Sequence, residues 1–86
     1  MTITDLLKAG LECYQQGNLD GAEKKFRQVI LGDSRNIHGL NLLGMICVNT
    51  GRHEEAVQLI SQALKINPAD AQAHGNLGLA YQRMGN

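Results

Sequence analysis

Shifted by 34 residues, the chain falls onto itself with no insertion, and this period restricts its fold more than any other feature. Gly10, Gly44 and Gly78 coincide, as do Gly17, Gly51 and Gly85. Ala22 falls on Ala56, Cys13 on Cys47, Leu43 on Leu77, and Asn36 on Asp70. A unit of this length is one supersecondary element, too small to bury an apolar face alone, so it must stack on its neighbours. The units read 3–36, 37–70 and a partial 71–86.

Within a unit, apolar residues recur at spacings of three and four with no period-two alternation, which predicts helices and excludes strands. In the second unit the pattern predicts helices from Ile37 to Thr50, stopped by Gly51, and from His53 to Asn67, stopped by Pro68. Glycine enters the left-handed conformation past a helix end without steric cost, and proline cannot continue a helix. Asn36 and Asp70 precede the first helices of units two and three, where a short polar side chain caps free N–H groups. The first helices carry core faces of Leu6, Ala9, Gly10 and Cys13, then Leu40, Leu43, Gly44 and Cys47, then His74, Leu77, Gly78 and Tyr81. The opposing second helices supply Phe26, Val29 and Ile30, then Ile60, Ala63 and Leu64. The recurring glycines and Ala22/Ala56 would let these backbones approach closely.

These residues resemble the tetratricopeptide repeat family. The matching positions are Leu43-Gly44 and Leu77-Gly78, Tyr81, Ala22 and Ala56, Phe26, and the closing Pro68. The chain departs from the family pattern where Cys13 and Cys47 replace the usual tyrosine, where Leu6, Leu40 and His74 replace a frequent tryptophan, and where Ser34 replaces proline. The resemblance implies an all-α fold, an α-α superhelix or solenoid of about two and a half helix-turn-helix repeats. It also implies a protein-binding scaffold with no catalytic residues.

The first helices are apolar on a second side as well. At 100° per residue, Leu7, Leu11 and Tyr14 lie together; the same side of unit two shows Leu42, Met45 and Val48, bordered by His38, Asn41 and Asn49. In unit three it shows Leu79 with Gln72, Asn76, Gln82 and Arg83. A helix apolar on two faces is either buried on both or presents one to a partner. The family resemblance puts this side on a concave groove that takes peptides or extended segments. The expected groove residues are Leu7, Leu11, Tyr14, Asn41, Leu42, Met45, Gln72, Asn76, Leu79 and Arg83. Family members that grip chaperone C-terminal carboxylates use a clamp of Lys, Asn and Arg. Here Leu7, Leu11, Leu42, Gln72 and Asn76 stand at those positions, so an apolar or amphipathic segment is the better match.

Composition excludes other classes. Lys+Arg and Asp+Glu balance at 8 each, which argues against nucleic acid or an anionic membrane as the main partner, because both need clustered positive charge. Cys13 and Cys47 occupy the same repeat position, about 10 Å apart for packed helices, too far for a disulfide, and read as buried filler. His38, His53 and His74 show no metal-ligand spacing, and no phosphate-binding glycine motif or nucleophile-base pair occurs, so no metal or cofactor is expected. With no leader segment and no apolar run of roughly 20 residues, the expected location is the cytoplasm.

Ending at the turn after the third first-helix, the chain reads as a piece of a longer protein, with Leu77, Ala80 and Tyr81 awaiting a partner helix. Gln28-Val29-Ile30 and Ala73-His74-Gly75-Asn76-Leu77-Gly78 resemble the N-terminal repeats of bacterial proteins in which such arrays precede a glycosyltransferase or sulfotransferase domain. Asn76 falls where arrays of the O-linked N-acetylglucosamine transferase type carry a groove asparagine, but Lys8 and Leu42 hold the two equivalent positions. Three readings follow: a module binding a peptide segment, a substrate-presenting arm of an enzyme, and a homo-oligomer formed through the uncovered third helix.

Overall fold

The computed structural model describes residues 1–85; Asn86, the last residue of the third expected unit, lies outside them. It contains helices α1 (Ile3–Gln15), α2 (Leu19–Gly32), α3 (Ile37–Asn49), α4 (His53–Ile66) and α5 (Ala71–Arg83), and no strand among the described residues.

The connections repeat as the helices do. Gly17, Gly51 and Gly85 all take positive φ, at 78°, 83° and 85°. After α1, the Asn18 N–H donates to the Cys13 carbonyl at 2.8 Å and Gly17 to Tyr14 at 3.0 Å. After α3, Arg52 donates to Cys47 at 2.8 Å and Gly51 to Val48 at 3.3 Å. This paired closure satisfies the orphan carbonyls of a helix end. Asn18 then starts α2 by accepting from the Gly21 N–H at 3.0 Å, so one residue closes one helix and opens the next. The longer connections match too: Asp33 and Asn67 leave the helix in extended conformation and accept side-chain bonds from Arg35 and Ala69 N–H groups.

The predicted caps are in place. Asn36 accepts from Gly39 at 2.9 Å, and Asp70 from Gln72 and Ala73. Thr2 and Asp5 form a reciprocal capping box at α1, and the backbone N–H of Thr2 holds the Asp5 carboxyl below its usual range. Only α4 lacks a side-chain cap, and there Glu54 and Glu55 occupy the first turn, where negative charge is stabilised by the positive end of the helix dipole. Thr50 and Asn67 are the C-caps of α3 and α4, so each helix stops one residue short of the predicted end.

The core is built from close helix crossings. Gly10 backs onto the Phe26 ring, Gly44 onto Ile60 and Gly39 onto Val29, and all three apolar partners are fully buried. α3 lies in contact with α2, α4 and α5. Leu40, Leu43, Ile46, Cys47 and Val48 are consequently buried around most of its circumference.

An ion cluster joins α2 to the start of α4. Both guanidinium N–H groups of Arg52 donate to Glu23, at 2.6 and 2.8 Å, and Arg27 bridges Glu23 at 2.7 Å and Glu55 at 2.9 Å. The hydrogen bonds from Arg52, more than those from Arg27, pull the Glu23 carboxyl down to about 2. A carboxylate whose pKa falls on folding stabilises the fold fully above its ordinary pKa, and this is lost as pH drops through the folded value. Glu23→Gln should therefore destabilise the chain at pH 7 by about 1–2 kcal/mol. That is less than the shift alone implies, because Arg27 and Arg52 are 42% and 37% exposed and screened by water. The difference between wild type and variant should shrink in thermal melts taken from pH 7 down to pH 3. A difference constant over that range would mean that the cluster contributes nothing through charge.

Candidate functional site

The expected groove residues lie on the three first helices, α1, α3 and α5. Leu7, Leu11 and Tyr14 come from α1, Leu42 and Met45 from α3, and Gln72, Asn76, Leu79 and Arg83 from α5. Two sets of contacts link the helices. The Tyr14 hydroxyl donates to Met45 Sδ at 3.8 Å and accepts from Asn49 Nδ2 at 3.5 Å, joining α1 to α3. Asn76 Nδ2 donates to the Asn41 carbonyl at 3.4 Å, joining α5 to α3.

Burial grades the set. Leu11 is 39% exposed, and Gln72 and Arg83 are exposed. Leu7, Tyr14, Leu42, Met45, Asn76 and Leu79 are half-buried, each resting on the core and keeping part of its surface open. Asn41 differs, being 1% exposed. Its Nδ2 donates to Asp70 Oδ2 at 2.7 Å, and this bond is the main reason the Asp70 carboxyl sits below its usual range. Its Oδ1 is buried and accepts no hydrogen bond among the described residues. Asn41 thus couples α3 to the cap of α5 and is not open to a ligand, and Val48, placed on the same side by its spacing, is also buried. The Asn41–Asp70 contact escaped sequence reasoning because its partners are not at equivalent repeat positions. The one available signal was a polar residue within an otherwise apolar helix.

Such a surface offers dispersion contacts from leucine, methionine and tyrosine, with amide groups and one arginine at its edges. Nucleophilic chemistry has poor material here: burial pushes the Cys47 thiol up to about 11, away from the thiolate form. Cys13 and Cys47 are both free thiols. His74 does not stand on a core face as its spacing suggests. It is exposed, and its Nε2 lies 2.7 Å from the Pro68 carbonyl, bracing the turn before α5. Among the described residues no group of three metal-ligating side chains converges, and no helix is long and apolar enough to cross a membrane.

Comparison with known proteins agrees with this architecture. A family model described as TPR repeat matches residues 44–85. The UDP-N-acetylglucosamine–peptide N-acetylglucosaminyltransferase of Caenorhabditis elegans is 36% identical over 72 residues, covering 84% of this chain and 6% of that protein. The solved structure of a K341M mutant of Thermobaculum terrenum O-GlcNAc transferase superposes with a TM-score of 0.87 at 28% identity, covering 91% of this chain and 15% of that one. The chain therefore spans a small part of each relative, within which it matches almost end to end. Helix order, paired glycine turns and these similarities agree, and the chain belongs to the tetratricopeptide repeat family, a family of helical scaffolds for protein interaction.

Proposed function

We propose that this chain binds an apolar or amphipathic peptide segment along a groove formed by α1, α3 and α5, and that it performs no chemistry itself. The observation that carries this reading is the row of partly open apolar side chains, Leu7, Leu11, Tyr14, Leu42, Met45 and Leu79, that runs across α1, α3 and α5. Asn76, Gln72 and Arg83 supply polar edges that could fix a peptide backbone in register. The reading takes 3–36, 37–70 and 71–86 as the repeat units, and the cytoplasm, where the free thiols Cys13 and Cys47 stay reduced, as the compartment.

Peptides selected from a random display library on the purified chain test the proposal. The double substitution Leu11→Glu with Met45→Glu should weaken the selected peptides at least tenfold, about 1.4 kcal/mol or more, with helicity unchanged by circular dichroism. Undiminished binding would remove the groove from the account.

A second reading has a specific observation behind it, the similarity to the N-acetylglucosaminyltransferase. In this reading the groove holds a protein substrate for a glycosyltransferase domain encoded by the same gene. The coding sequence downstream of Asn86 decides it: a catalytic domain there supports the arm, and repeats alone overturn it.

A further inference from the structure

α3 has α2, α4 and α5 packed around it, so the side it leaves open belongs to the interior of the array. A stripe at spacings of four, three and four stays accessible there. His38 and Asn49 are exposed, and Leu42 and Met45 between them are half-buried. The equivalent positions of α1 and α5, one repeat to either side, are likewise exposed or half-buried. One row across the three helices is apolar: Leu11, Met45 and Leu79.

Charge is unevenly placed on this stripe. Its ionisable side chains are Lys8 on α1, His38 on α3 and Arg83 on α5, and none of the chain's 8 aspartates and glutamates stands on it. The two carboxylates of α1 lie elsewhere. Asp5 caps the helix, and Glu12 occupies the position of Ile46 and Ala80, which are fully buried and so mark a packing face. Asp70 reaches Asn41 of α3 but has both oxygens engaged, Oδ2 by Asn41 and Oδ1 by the N–H groups of Gln72 and Ala73. The other carboxylates belong to α2, its C-cap and α4, where Glu23 and Glu55 are paired with Arg27 and Arg52. Lys8 and Arg83 are exposed and join no ion pair among the described residues. A segment lying along the apolar row is therefore met by free positive charge from α1 and α5 and by no free negative charge. Such a field attracts aspartate and glutamate and repels lysine and arginine.

We infer that the groove takes an acidic segment of a protein partner: apolar side chains on Leu11, Met45 and Leu79, flanked by carboxylates that meet Lys8 at one end and Arg83 at the other. The inference rests on the groove reading and adds the class of segment that the groove selects. Packed helices lie about 10 Å apart, so Lys8 and Arg83 stand two helix spacings, roughly 20 Å, from each other. That exceeds the screening length of about 10 Å at 0.1 M salt, so each cation acts on its own part of the segment.

Peptides selected from a random display library on the purified chain are the probe, sorted by whether Leu11→Ala with Met45→Ala, which changes no charge, weakens them. Those it weakens should be rich in aspartate and glutamate and poor in lysine and arginine. Lys8→Glu with Arg83→Glu should weaken them about tenfold or more at about 0.1 M salt, and the loss should shrink towards 1 M, where the screening length falls to about 3 Å. Lys24→Glu with Lys65→Glu makes the same change of net charge at exposed positions of α2 and α4, and should leave binding within about twofold of wild type. Groove-binding peptides that are neutral or basic overturn the inference and leave the groove reading standing. An equal loss in both charge-reversed chains also overturns it, by assigning the preference to net charge and not to the stripe. If Leu11→Ala with Met45→Ala weakens no selected peptide, the groove reading falls and the inference falls with it.

Discussion

Phe26→Ala should lower the melting temperature by more than about 15 °C. Truncating a buried phenylalanine costs about 3–5 kcal/mol, and a domain of this size loses roughly 4–8 °C for each kcal/mol. Phe26 belongs at the upper end of that range. It is the chain's single phenylalanine, its side chain is fully buried, and its ring occupies the space opened by the missing side chain of Gly10. Among the described residues, α1 packs chiefly on α2. The substitution leaves a gap between the first two helices that Leu6 and Ala22 are too short to fill. Thermal melting followed by circular dichroism reads the effect. A fall of less than about 5 °C would show that α1 closes onto α2 and collapses the gap.

Much of this interior was legible from the period alone, for a definite reason. Features set by local chain chemistry recur with the sequence: the positive-φ glycines, the Asn36 and Asp70 caps, and the Gly10 and Gly44 crossings each appear where the repeat puts them. Features created between dissimilar positions do not recur. Glu23 falls on Val57 and Arg27 on Ser61 one repeat later, so the ion cluster with Arg52 and Glu55 leaves no periodic trace. Its formation depends on how α2 and α4 lie side by side, which is a property of the stack.

The candidate site shows the same division. The second apolar side of α1 is partly open, with Leu7 and Tyr14 half-buried and Leu11 exposed. For α3 a two-sided description is too simple. α5 packs on it as well as α2 and α4, and this third contact draws Asn41 and Val48 inside while leaving Leu42 and Met45 partly open. The number of faces a helix buries depends on its place in the array, and identical spacing in α1, α3 and α5 gives three different exposures.

The glycine series isolates that positional effect. Gly10→Ala and Gly44→Ala should each destabilise the chain, by up to about 2 kcal/mol net, whereas Gly78→Ala should stabilise it by about 0.5–1 kcal/mol. All three lie within helices at the same repeat position, so each gains the same advantage of alanine over glycine, about 1 kcal/mol. What differs is the neighbour. At Gly10 the methyl group would enter the edge of a fully buried ring, at 2.5 Å from Cε1 and 2.8 Å from Cζ, so the ring must shift within the core. At Gly44 it would meet Ile60 Cγ1 at 2.8 Å, an atom in the middle of a buried branched side chain, so the whole side chain or the helix must shift. Overpacking of this kind costs about 1–3 kcal/mol and outweighs the helical gain. At Gly78 nothing opposes the methyl group, and the helical gain stands alone. Urea midpoints for the three variants, at unchanged slope, give the signs directly. Three shifts of one sign would mean that helix propensity, and not the crossing neighbour, governs this position. Opposite signs would mean that the crossing neighbour, and not helix propensity, governs this position.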